Sequence, residues 1–435
     1  MSTVTTQAAL ARWTAPATGN LLVAVAILTL FVFACADSAA RRSITTGFDE
    51  PQHISYVAQI KATGNPWPAL DSLRLIDPQT FQFTATANFL DHPPIYYAVL
   101  AAVGPPLEGH PQAVFAYRML NVALAAIGLA ALLMIALDPQ FSRPQFWALA
   151  VPLAFIPVLV QLAAAVTNDN MAFLGGALAT LGAWQTVATG RRRWLACALG
   201  GVAVAAWAKL TGLVLTAPML SAVVAYMIWR KRAPPTWLAA VAFAFVIAAA
   251  PYLIYLVQYG SPVPPTRALL ATVAEGVRNF GWINLPRKSF AEYLIYFGGE
   301  FIANWMPTLA ERSAFQYAML AIPVTALICA AAGLMVSLRR IWRRQETKLD
   351  VIVIAGALGL ATIVPFLVGY NYSYYLASGW LAGAYPRYYL PLAAIVPLAG
   401  LSLAEAISAP RWRAALLAFL ISGPVVFRIL GAPVG

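Results

Sequence analysis

Acids, a histidine and a proline-initiated helix occur together twice early in this sequence. The first run reads Thr45-Thr46-Gly47-Phe48-Asp49-Glu50-Pro51-Gln52-His53, and the second reads Asp91-His92-Pro93-Pro94-Ile95-Tyr96-Tyr97. A carboxylate placed beside a reacting hydroxyl or amine can take its proton, which makes Asp49, Glu50 and Asp91 candidates for acid–base work. The neighbouring imidazoles add a second option, a divalent-metal donor set drawn from Asp49, His53, Asp91 and His92. Spacing alone does not establish that set, although all three histidines of the chain, His53, His92 and His110, fall in this one stretch. A plainer reading stands beside both. An Asp at the cap, an acid in the first turn and a proline near the start are ordinary signals for beginning a helix.

Three further positions carry charge where charge is expensive. Asp169 lies in Thr167-Asn168-Asp169-Asn170 between two apolar runs, where it either caps the next helix or joins a site. Lys209 interrupts an apolar stretch and calls for an anionic partner, a protein carboxylate or a phosphate. Arg387, in Tyr385-Pro386-Arg387-Tyr388-Tyr389-Leu390-Pro391, stands in the same situation. Its guanidinium suits bidentate phosphate binding, and snorkelling to the interface is the duller alternative.

The elements that hold these residues are dictated by composition. Of 435 residues, 61% are hydrophobic and 10% charged, so lipid must replace water over much of the surface. A spanning helix needs about 20 mostly apolar residues. The runs that approach this lie at 20–36, 117–137, 146–166, 170–188, 194–208, 211–229, 236–256, 314–338, 350–369, 386–407 and 412–430. The expected fold is therefore an all-α polytopic membrane protein with about 11 transmembrane helices. Ala34-Cys35-Ala36 mimics a signal-peptidase site, but the run before it is longer than the usual h-region, so a retained first span is expected.

With the N-terminus cytoplasmic, Arg143, the Arg191-Arg192-Arg193 run, Arg230-Lys231-Arg232, the cluster from Arg339 to Lys348, and Arg411 with Arg413 all fall on one side. That is the positive-inside pattern, and a missed or invented span would break it. It requires 194–208 and 211–229 to be separate, with Lys209 at a turn or in a shallow re-entrant bend. The net charge of +12 thus reads as a topology signal rather than a nucleic-acid surface. Three outer segments are long, 37–116, 257–313 and 370–385. The first should hold interfacial helices with Tyr56 to Ile60 and Ile95 to Leu100 turned toward lipid. Inner connections are short and basic without a Gly-rich phosphate loop, which argues against nucleotide chemistry on that side. No repeat or linker divides the chain, so residues 1–435 read as one integral domain. The three cysteines show no metal or redox spacing.

The order FDEPQH, DHPPIYY, TNDN, AKLTGL, YPRYYLPL on such a frame resembles the GT-C superfamily of membrane glycosyltransferases. It looks most like bacterial relatives of the protein O-mannosyltransferase and aminoarabinose-transferase group. The resemblance implies a polyprenyl-phosphate-linked sugar as donor and inverting transfer to a glycan, lipid or protein on the non-cytoplasmic face of the inner (plasma) membrane. It places the catalytic role on Asp49, with Glu50 beside it and Asp91 as a further site residue. Lys209 and Arg387 would then hold the donor phosphate. His53, His92, Asp169 and Tyr96 would shape the acceptor side, with a divalent metal as the one cofactor to consider. Tyr370, Tyr372, Tyr374 and Trp380 fit an interfacial aromatic belt better than a prenyl channel. Two other classes compete. A transporter or flippase would use Lys209 and Arg387 along a pathway through the bilayer, and a non-catalytic scaffold would leave Asp49 and Asp91 replaceable.

Overall fold

Apolar length governs most of the architecture. The structure, a computed structural model, describes residues 18–156, 158–281, 285–305 and 313–431. The chain enters through α1 (Thr18–Arg41), and the first outer segment follows. That segment holds α2 (Glu50–Thr63), the antiparallel pair β1 (Arg74–Ile76) and β2 (Phe83–Ala87), and α3 (Ile95–Val103). Next come α4 (Ala113–Ala136), α5 (Arg143–Ala154), α6 (Leu159–Ala163), α7 (Asp169–Thr189), α8 (Arg192–Ala208), α9 (Leu210–Trp229) and α10 (Thr236–Tyr259). The second outer segment contributes α11 (Arg267–Phe280) and α12 (Phe290–Ala303). The chain closes with α13 (Ala314–Met319), α14 (Ala321–Trp342), α15 (Lys348–Ser378), a 3-10 helix (Pro386–Leu392), α16 (Ile395–Ala406) and α17 (Pro410–Gly431).

All eleven apolar runs are helical, but they do not all cross as single rods. Among the described residues, eight helices are long and apolar enough to span, and a ninth results if the 3-10 helix and α16, bent by 62°, count as one. The run at 146–166 is divided. Pro152 removes a helical N–H inside α5, and Val158 takes a left-handed φ of 62°, so the chain restarts as α6. The short run before Lys209 is α8, with 17 residues, and α8 and α9 are separate helices joined at Lys209 alone, in extended conformation. The hairpin was not expected. Its turn is set by the Asp77 carboxylate, which accepts from the backbone N–H groups of Gln79 and Thr80.

Polar contacts mark two ends of the bundle. At one, Asp138 pairs with Lys348 at 2.6 Å and accepts from the Trp184 indole, Glu346 pairs with Arg230, and Asp350 with Arg340. The basic clusters at Arg230-Lys231-Arg232 and from Arg339 to Lys348 belong to this end. The other end gathers the starts of α2, α4, α7 and α9 and the Arg387 segment. Glycines set the spacing there. A Cβ at Gly175 or Gly201 would strike the facing backbone of Ala205 or Ala179, so α7 and α8 pack at backbone distance. A Cβ at Gly176 would strike Pro391, so the 3-10 helix docks on α7 in the same way. These contacts bring Asp169, Lys209 and Arg387 to one place.

Candidate active site

Glu50 and Asp49 are neighbours in sequence and opposites in environment. Gly47, Phe48 and Asp49 have φ values of 72°, 63° and 55°, three successive residues in the left-handed region. Such strain costs about 1–3 kcal/mol for a non-glycine residue and persists only where the surroundings enforce it. Here the enforcement comes from Glu50. Its two oxygens accept from Arg118 Nε and Nη2 at 2.8 Å each, and Oε1 also accepts from the Val166 backbone N–H. Arg118 Nη1 donates to the carbonyls of Ala39 and Arg42, which ties the end of α1 to α4 and to the start of α2. Glu50 is fully buried and fully occupied, so it braces the turn and offers no free oxygen to a substrate.

Asp49 behaves otherwise. It stands at the N-cap position of α2, yet its side chain makes no capping hydrogen bond, and 46% of it is exposed. The plain helix-start reading therefore does not account for this carboxylate. It faces Arg387, with Oδ2 3.5 Å from Nη2. Arg387 Nε lies 3.8 Å from Asp169, and Asp169 in turn accepts from Lys209 Nζ at 2.8 Å. Asp49, Arg387, Asp169 and Lys209 thus alternate in sign along one line. Aromatic rings enclose the cations, Tyr388 beneath Lys209 at 4.3 Å and Phe48, Tyr385 and Tyr388 around Arg387. Of the two partners open to Lys209, the carboxylate is Asp169. Arg387 is the looser cation, because its Nε is buried with no hydrogen-bond partner.

The second acidic motif lies within electrostatic reach of the same charges. Burial pushes Asp91 up to about 6, opposed by its own backbone N–H and by the charge on Lys209. Burial holds His92 down to about 3 and His53 well below the ordinary histidine range, with Lys209 and Arg387 adding to both effects. Both imidazoles are therefore neutral at physiological pH. They stack at 6.2 Å, His92 Nδ1 lies 3.5 Å from Asp91, and His53 Nδ1 lies 2.9 Å from the Tyr97 hydroxyl. Tyr255 and Tyr56 donate to the His92 carbonyl and fix this corner. Among the described residues, no three His, Cys, Asp or Glu side chains gather as a metal-binding group.

Tyr96 is buried and donates to Asn121; the tyrosine that meets His53 is its neighbour Tyr97. Arg118 escaped the sequence reading, although a charge one position inside the run at 117–137 demanded a partner. Tyr370 is exposed, whereas Tyr372 packs on Tyr293 and Phe290 beneath the second outer segment.

Beside Arg387 opens an apolar cavity of about 430 Å³. Pro386, Tyr389 and Leu390 form its wall next to the charged line, and Phe301, Val364 and Phe427 continue it between α12, α15 and α17.

Fold and site define a polytopic, all-α membrane protein with a line of alternating charges at one end of its bundle and an apolar cavity walled by the residues that flank Arg387. The crystal structure of ArnT from Cupriavidus metallidurans in the apo state is similar to this chain with a TM-score of 0.48 and 16% identity, over 91% of this chain and 61% of that one. ArnT from the same organism bound to undecaprenyl phosphate gives a TM-score of 0.39 and 16% identity, over 94% and 78%. The chain thus spans less than two thirds of the apo ArnT chain. No protein-family model and no curated protein matches the sequence.

Proposed function

We propose that this protein moves a sugar from a polyprenyl-phosphate-linked donor to an acceptor glycan, lipid or protein, on the non-cytoplasmic face of the inner (plasma) membrane. The observation that carries this reading is an under-paired arginine, Arg387, whose chain neighbours Pro386, Tyr389 and Leu390 line a large apolar cavity. A lipid phosphate needs both features at once, apolar walls for its chain and charge-assisted donors for its head. The family resemblance of the motifs points the same way.

In this mechanism Asp49 takes the proton of the acceptor hydroxyl or amine as that atom bonds to the anomeric carbon. The bond from that carbon to the phosphate oxygen breaks on the opposite face, and the electron pair leaves with the phosphate, whose growing charge Arg387 stabilises. One base and one displacement give inversion. Asp169 orients Arg387, Lys209 neutralises Asp169, and Asp91 accepts a hydrogen bond from the acceptor or positions it. A transport pathway is less well supported. The long spanning helices carry their Asp, Glu, Lys and Arg near their ends, with none at mid-span.

The test is transfer of label from polyprenyl-phosphate-sugars into products, using purified protein in vesicles, a panel of donors and a chelator arm that reads metal dependence. Arg387→Gln is expected to raise the donor KM at least about tenfold, the size of one charged contact. An unchanged KM, or no transfer with any donor, overturns the reading. Asp91 adds a pH signature. kcat/KM should rise through about pH 6 as Asp91 loses its proton. A bound anionic donor offsets the Lys209 charge that lowers Asp91, so the limb for kcat should lie at higher pH than that for kcat/KM. Asp91→Asn should remove both limbs, and a profile that keeps them rules Asp91 out.

A further inference from the structure

A second cavity, of about 240 Å³, lies between α1, the α5–α6 break and α17, away from the charged line. Ile27, Leu30, Phe31 and Val160 make it apolar, and Arg428 and Gln161 give it a polar edge. Arg428 stands eighteen positions beyond Pro410, about 27 Å along α17 at 1.5 Å per residue. The hydrocarbon core is about 30 Å thick, so the guanidinium reaches its boundary at the end of the bundle that holds Asp49 and Arg387. Phe31 and Leu30 descend from that level toward mid-membrane. Among the described residues Arg428 has neither an ion pair nor a hydrogen bond, and the Gln161 carboxamide has no hydrogen bond either. An arginine in a spanning helix without a protein anion demands a ligand or the interface.

We propose that this cavity binds an anionic phospholipid of the outer leaflet, with Arg428 and Gln161 on the headgroup phosphate and an acyl chain against Ile27, Leu30 and Phe31. A cation above an apolar slot matches that chemistry, and a zwitterionic lipid, which carries the same phosphate, would set its own quaternary ammonium beside the guanidinium. The site is independent of sugar transfer, since Arg428 touches none of the residues assigned to it. The two cavities meet at Phe155 and Ile156, which line both. The lipid therefore forms one side of a wall whose other side faces the larger cavity.

The experiment is native mass spectrometry of the purified full chain after exchange into detergent containing dioleoyl phosphatidylglycerol, dioleoyl phosphatidylcholine, a polyprenyl phosphate or inorganic phosphate. Phosphatidylglycerol should be retained over phosphatidylcholine. Arg428→Gln should reduce that retention about tenfold, Arg428→Lys should preserve most of it, and Leu30→Trp, which fills the slot and keeps the charge, should abolish it. Polyprenyl phosphate binding should be unchanged in all three. Equal retention by wild type and Arg428→Gln overturns the proposal, as does equal retention of the zwitterionic lipid. Competition by inorganic phosphate at the same concentration would mean a plain anion site, and displacement by polyprenyl phosphate would mean a second prenyl site; either sinks the phospholipid assignment. Should Arg428→Gln fail to fold, Leu30→Trp decides the matter on its own.

Discussion

Asp49→Asn is expected to lower kcat by about 10²–10⁴, the usual worth of a positioned base, while the amount of folded protein in the membrane stays the same. The environment of Asp49 separates these two effects. Nearly half exposed and 3.5 Å from Arg387, its carboxylate makes an ion pair of the kind worth about 0–1 kcal/mol to stability. Asparagine also tolerates the left-handed backbone that this position requires, so the substitution adds no strain. What it removes is the ability to accept a proton. The donor KM should change little, because Arg387 loses a loose partner and keeps its place between the aromatic rings. Single-turnover measurements with saturating donor read the chemical step directly. An undiminished rate there would remove Asp49 from the mechanism and shift the weight to Asp91.

The residues that sequence could single out were those whose cost is local. A lysine between two apolar runs, an arginine among tyrosines and an acid before a helix each violate a rule that lipid imposes over a few residues, so their positions were legible. Their partners were not. Lys209 finds Asp169 across forty positions and Arg387 finds Asp49 across 338, and nothing in the apolar periodicity encodes either distance. The same limit hid the different fates of Asp49 and Glu50. Both satisfy the helix-start pattern equally well. They diverge because three left-handed residues turn one carboxylate outward while Arg118, on α4, pulls the other in. Arg118 itself was readable as a buried charge, but its partner depended on how the first outer loop folds back over the bundle. The spans were visible for a simpler reason, since their apolar composition is continuous. Where the count differs, the cause is a backbone break in two cases, at Pro152 and Val158 and at the bend before α16, and in the third the 17-residue length of α8.

Replacing either partner of the buried Glu50–Arg118 pair should destabilise the protein by about 3–5 kcal/mol, the cost of leaving one buried charge without its counterpart. Glu50→Gln keeps the shape but leaves the Arg118 guanidinium without its anion. Arg118→Met leaves both Glu50 oxygens short of their donors and strands the carbonyls of Ala39 and Arg42. The double variant should recover part of the loss, because the Glu50–Arg118 charges are removed together, yet not all of it, since the carbonyls of Ala39 and Arg42 stay unsatisfied and the buried Arg42 guanidinium loses the carboxylate 3.8 Å away. Thermal unfolding of the purified chain in detergent measures the cycle, and additive losses would show that the two side chains are not coupled. The same variants also separate Glu50 from Asp49. A bracing Glu50 predicts that the Glu50→Gln protein that remains folded transfers slowly because the Gly47-Phe48-Asp49 turn relaxes, and that lowering the temperature restores part of its rate. A catalytic Glu50 predicts full stability with no transfer at any temperature. Since Glu50 has no exposed oxygen and Asp49 has no structural partner beyond one loose ion pair, the stability loss should follow Glu50 and the loss of chemistry should follow Asp49.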